Sequence, residues 1–222
     1  MRKRTDKKKK GVLYRLLQWS ASLLLIPSSP LLAAGRYDVI PTPSWVEPIT
    51  PPNGSSPHEA SGGSEYQIVD RQVRLDKAEY AYTRFVIRLA NVSGVEDQSQ
   101  IEVEFDPKRE RLHIHAVQIH RGDQIIDEMQ LGQIRILQQE GELKEDVLSG
   151  ELTFHLLLSD VRVGDVIDYS YTVERRDAEW GDRHYGRYVA QWDDPVDYER
   201  MRISSPAAGS VAITGQIGRA HV

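Results

Sequence analysis

The chain has 222 residues, 40% hydrophobic and 27% charged, which suits one globular domain with a real core plus some non-globular sequence. Residues 1–34 hold eight Lys/Arg and one acid, so without them 20 bases stand against 32 acids, a net of −12 behind the overall −5. A domain that acidic repels nucleic-acid phosphates and anionic lipid headgroups, and a chain with no cysteine has no disulfide, no Cys-ligated zinc and no Cys/His catalytic centre.

The chain opens on MRKRTDKKKK, a strongly basic segment. Residues 16–26 form a short apolar run, Pro27 and Pro30 end it, and Ala33-Ala34-Gly35 offers small residues for cleavage. This is the layout of a secretory signal peptide over residues 1–34, too short for a comfortable membrane span. It predicts a periplasmic or secreted protein that meets a membrane only through the signal segment, if that segment is retained. Residues 35–64 are rich in Pro, Gly and Ser, with prolines at 41, 43, 48, 51 and 52 that favour extended chain over helix. Trp45 and Val46 are the apolar exception in this arm and are expected to pack back on the domain.

From Glu65 onward the pattern is β. Strands are predicted at residues 66–75 and 79–90; in the second, Thr83, Phe85, Ile87 and Leu89 face one way and Arg84 and Arg88 the other. Ile101, Val103 and Phe105 alternate with acids and glutamine until Asp106-Pro107 stops the strand. Residues 112–119 follow, then the turn Arg121-Gly122-Asp123 into residues 124–139, one bent strand or two, since Gly132 permits a bulge. The run 151–158 places Phe154, Leu156 and Leu158 on one face. After the Gly164-Asp165 turn, Ile167, Tyr169, Tyr171 and Val173 alternate with Asp168, Ser170, Thr172 and Glu174, as in a half-buried antiparallel strand. Residues 185–192 and 197–203 complete about nine short strands, which predicts an all-β antiparallel sandwich over residues 65–206. Residues 207–215 read as the start of an interdomain linker. The last seven residues, QIGRAHV, are what a common short-read sequencing adapter encodes, so residues 216–222 are expected to be an artefact.

Three groups of side chains bear on chemistry. His113 and His115 would share a strand face about 7 Å apart, with His120 beyond and Glu102 or Glu104 as neighbours. Two histidines do not supply a metal site's ligand number and geometry, so a solvated face is expected and no metal is assigned. Asp193, Asp194, Asp197 and Glu199 lack the spacing of a calcium loop and read as a solvated loop. Trp180, Tyr185, Tyr188 and Trp192, with His184 and Arg187, gather around one polar loop. They are either the packing of two edge strands or a sugar- or protein-binding platform, and they are the candidate binding residues.

The phrases YAYTRFVIRLAN, Phe105-Asp106-Pro107, RGDQI, VRVGDVIDYSYT and QWDDPVDYERMRISSP, in that order, resemble the domain of unknown function 3857 family. In exported bacterial proteins that family usually precedes a transglutaminase-like domain. The resemblance implies a non-catalytic N-terminal β-domain, without cofactor, that packs on or presents substrate to a downstream transglutaminase-like domain of the same polypeptide. The parent would then be transglutaminase-like or cysteine-protease-like. It brings no catalytic residue to this chain. The alternative is a free-standing carbohydrate- or protein-binding module of the cell envelope.

Overall fold

Period-two alternation makes strands along most of the described residues because it gives each strand one apolar face to bury. A computed structural model describes residues 37–49, 62–138, 150–176, 188 and 192–205, all within the unit Leu32–Val222. The signal segment, the linker at 207–215 and the last seven residues lie outside them. In order come β1 (Tyr37–Val39), β2 (Ser64–Leu75), β3 (Glu79–Leu89), α1 (Val92–Gln98), β4 (Gln100–Phe105), β5 (Glu110–Arg121) and β6 (Gln124–Asp127). Then follow α2 (Glu128–Leu131), β7 (Gln133–Gln138), β8 (Leu152–Leu157), β9 (Val166–Arg175) and β10 (Glu199–Ser204).

Two sheets face each other. The larger runs β1-β5-β9-β3-β2-β10, with β6 sharing the outer edge of β5 with β1; the smaller runs β4-β8-β7. The core lies between them. Leu112, Ile114, Val117 and Ile119 of β5, Ile167 of β9 and Ile87 and Leu89 of β3 meet Ile101, Val103 and Phe105 of β4 and Phe154 and Leu156 of β8. Phe154 is fully buried, and Tyr37 meets it edge-on at 5.1 Å. Burying each such side chain contributes about 1.5–3 kcal/mol, so this apolar face dominates the stability.

The mainly β sandwich matches the sequence reading, with differences that have physical causes. The larger sheet is mixed rather than wholly antiparallel: β1 runs parallel to β5 and β10 parallel to β2. Both arrive from distant parts of the chain, where no hairpin dictates direction. Two short helices interrupt the β pattern. Asn91 caps α1 by accepting the Gly94 N–H, and Asp127 caps α2 by accepting the Met129 N–H. The stretch 124–139 therefore divides between the two sheets through a helical turn, not through a bulge at Gly132.

The turn before β9 shows why its wording matters. Gly164 has φ of +91°, and its N–H donates to the Leu89 carbonyl while the Leu89 N–H donates to the Asp165 carbonyl. The Asp165 carboxylate is buried; it accepts two bonds from Arg121, both 2.8 Å, and one from the Arg162 N–H. A turn that looks local thus fastens the ends of β3 and β5. The polar side of β9, expected to be solvent-facing, is buried too: Ser170, Thr172 and Glu174 are all under a tenth exposed.

Residues 40–49 explain that burial in part. After β1 the chain crosses the polar face of the larger sheet. His115 bonds the Ile40 carbonyl, Trp45 lies against Tyr80 on β3 at 6.5 Å, and Glu47 reaches Gln72 on β2. The buried Gln72 side chain accepts from the Glu47 N–H at 3.0 Å and donates to the Glu47 carbonyl at 2.8 Å. Its amide thereby mimics a neighbouring strand. Arg200 and Arg202 of β10 hold the same residue from the other side.

Candidate functional site

An antiparallel sandwich brings the end of one strand and the start of the next to the same edge, so charged strand ends converge. Here that convergence forms an open cleft of about 380 Å³ between the two sheets. Glu79 opens β3, Glu104 and Asp106 end β4, Glu110 opens β5, Glu151 precedes β8, and Arg175 ends β9. Ala81, Thr83, Phe105, Tyr171 and Val173 line the remainder.

Arg175 is already engaged. It bonds Glu110 at 2.7 and 2.8 Å and stands 3.5 Å from Glu79. Burial works against its charge, but these carboxylates more than offset it and hold the guanidinium ionised. Burial pushes the Tyr171 hydroxyl above its usual range, and a hydrogen bond with Thr83 offsets it only in part, so the phenol stays neutral. The described lining contains carboxylates, one guanidinium, the Thr83 hydroxyl and an aromatic floor. Among the described residues that line it, no histidine or lysine stands beside that hydroxyl as a base.

Of the four aromatic candidates, Trp180 and Tyr185 lie outside the described residues. Tyr188 is 41% exposed, and the charges acting on it are those of Glu79, Arg175 and Arg71, which places it by the cleft. Trp192 is half-buried. It packs on Tyr66 at 5.2 Å and edge-on to Phe85 at 6.2 Å, with the Arg71 guanidinium 5.1 Å from its ring centroid. The row continues from Phe85 to Tyr169 at 5.3 Å and on to Tyr171 at 6.5 Å. Trp192 therefore packs with the core aromatics, whereas Tyr188 presents its ring.

The histidines are not on a solvated face. A bulge between Ile114 and Ala116 sets His115 out of register, where it stacks on Tyr82 and bonds Thr172 Oγ1 at 2.7 Å. Burial lowers its pKa, and the bond to the Ile40 carbonyl offsets this only in part. His113 sits between Glu174 at 3.2 Å and Asp38 at 3.4 Å. A histidine beside a threonine hydroxyl has the look of a base and a nucleophile, but Thr172 is 1% exposed and closed to substrate. His120 is 3.8 Å from Asp168, and Glu102, expected beside His113 and His115, lies instead 3.8 Å from His155. Among the described residues no three His, Asp or Glu side chains gather as a metal site requires. Asp193 is exposed and Asp194 half-buried; burial, then Asp97 and Asp193, raises the Asp194 pKa.

Of the cleft carboxylates the sequence singled out only Glu104, as a neighbour of the histidines, and Asp106, as the end of a strand, and neither as part of a cleft. The only trace there is that several strands begin or end on an acid, and which ends meet depends on the strand order.

A family model described as "Domain of Unknown Function with solved-structure structure (DUF3857)" matches residues 76–219. A solved structure described as "a putative protease from Parabacteroides distasonis ATCC 8503" is similar at a TM-score of 0.46 and 12% identity. The similarity covers 51% of this chain and 23% of that one, so the chain corresponds to less than a quarter of that protein. No curated protein matches the chain.

Proposed function

The chain belongs to the DUF3857 family, and from that premise we propose that its β-domain is a non-catalytic N-terminal module of an exported bacterial protein. Its role is to pack on, or present substrate to, a downstream transglutaminase-like domain of the same polypeptide. The observation that carries this reading is the cleft. Its walls hold Glu79, Glu104, Asp106, Glu110, Glu151 and Arg175 over an aromatic floor, a lining suited to contact rather than to covalent chemistry. The absence of cysteine from the sequence agrees, because a transglutaminase-type thiolate has to come from elsewhere. The basic and apolar segments of residues 1–34 support export.

Resequencing the locus beyond Gly215 tests the reading. A segment bearing Cys, His and Asp within about a domain's length is expected. A stop codon at that point favours the free-standing envelope module instead. In parallel, the purified chain is expected to incorporate no amine and hydrolyse no peptide; turnover by the chain alone overturns the assignment.

A further inference from the structure

One segment of the domain is held in the manner of a bound peptide. Residues 37–49 precede every other described element and join β2 at Ser64 only through residues 50–63. None of residues 37–49 is buried, whereas Gln72, which grips them, and Tyr82 and Thr172, which support His115 beneath them, all are. The grip is mainly on the backbone. The Ile40 N–H donates to the Ile114 carbonyl at 3.0 Å, and the Ile40 carbonyl bonds His115. Gln72 takes both the N–H and the carbonyl of Glu47, while Arg200 and Arg202 reach the carbonyls of Glu47 and Trp45. Side chains add the ring contact of Trp45 with Tyr80 and the ion pairs of Glu47 with Arg202 and Asp38 with Arg111. A segment held by half-exposed hydrogen bonds opens at a lower free energy than a core strand. Its departure leaves the buried Gln72 amide short of partners, and a second copy of the same segment restores every one of them.

We propose that residues 37–49 are exchanged between copies of this chain, the arm of one docking on the sheet of another in place of the resident arm. The contacts made within one chain are remade between two, so exchange gives up none of them and its cost is that of association. The connection is long enough. Residues 50–63 span up to about 45 Å when extended, more than the diameter of a small domain, about 30 Å. A tethered arm competes for its own groove at an effective concentration of about millimolar. Exchange is therefore a minor population in dilute solution and grows with protein concentration.

The chain has no cysteine, so a disulfide can trap the exchange. Asp38 and His113 are register partners on β1 and β5, and the His113 side chain is only 13% exposed beside Asp38. Full-length D38C and H113C chains are mixed under mild oxidation, and the covalent dimers are quantified. The mixed dimer is expected to exceed both same-variant dimers and to rise with concentration. Substitutions on the H113C chain then separate exchange from mere uncovering of its thiol. Glu47→Pro deletes an N–H of the resident arm and leaves the groove intact for an incoming one, so the mixed dimer should rise about fivefold, the effect of one hydrogen bond. Gln72→Leu loosens the resident arm too, but it spoils the groove for the incoming arm equally and should give no rise. Trp45→Ala and Tyr80→Ala repeat the comparison at a second contact, from the arm side and the sheet side. Each variant is first shown to unfold in one cooperative urea transition. Equal rises within a pair overturn the proposal, because they mean that the arm only shields the thiol. A mixed dimer no more abundant than the same-variant dimers overturns it as well.

Discussion

The two faces of the larger sheet are both buried, yet they are held in different ways. One carries Leu112, Ile114, Ile167, Ile87 and Leu89 against the smaller sheet, an apolar contact without direction. The other carries Asp70, Gln72, Ser170, Thr172 and Glu174, and each of these is a hydrogen-bonding group that costs free energy if left unpaired. Strand β9 has one face in each environment. Burial by itself therefore says little about how a residue contributes: on one side volume matters, on the other the identity of a single atom.

Four experiments break or sharpen that contrast. Phe154→Ala should cost about 3–5 kcal/mol in urea unfolding, since it empties the centre of the apolar contact. A loss below about 1 kcal/mol would show that the smaller sheet contributes little. Asp165→Ala should cost about 2 kcal/mol, because Arg121 and the Arg162 N–H lose charge-assisted partners. If it costs more than Phe154→Ala, the ranking of the two kinds of contact is reversed.

Acidity separates the two kinds of contact without mutation. Hydrogen bonds from Arg111 hold the Asp38 carboxyl below its ordinary pKa. Burial opposes ionisation of Asp165 and Glu174, yet Arg121 and the Arg162 N–H at the first, and Arg176 and His113 at the second, leave both lowered as well. A carboxyl whose pKa is depressed by folding adds stability above its unfolded pKa and loses it as pH falls through the folded value. The urea midpoint should therefore be steady from about pH 7 to 5 and fall below about pH 4. Phe154→Ala should keep that profile, while Asp165→Asn should flatten it; identical profiles would remove the charge network from the account. The smallest effect belongs to the arm's outer ion pair. Arg202→Ala loses a 2.7 Å contact to the exposed Glu47 and should shift unfolding by no more than about 1 kcal/mol.

Much of the fold was legible because alternation is a local property. The apolar rows of β3, β4, β8 and β9 were each visible in a few consecutive residues, and each row does face the core. What escaped was non-local. Nothing near Tyr37 announces that its three-residue strand lies beside Leu112, and nothing near Gln72 announces that its amide closes on Glu47. The histidines were placed on the correct face and given the wrong surroundings, since the arm that covers them is 75 residues away from His115 at Ile40. The cleft was illegible for the same reason. Its acids lie at strand ends scattered from Glu79 to Glu151, and an alternation rule records only which face a residue takes.

The parallel pairing of β10 with β2 sets a timetable for synthesis. The β2–β3 hairpin is complete once residue 89 has emerged, but the other edge of β2 waits for partners that include Arg200, 130 residues after Asp70. At about 5–20 residues per second that edge stays open for roughly 6–26 s on every new chain. An open edge is a template for another strand, so the chain is exposed to strand-to-strand aggregation until β10 is available to cover it. Refolding from urea removes this delay, because β10 is present from the start and only loop closure remains to be overcome.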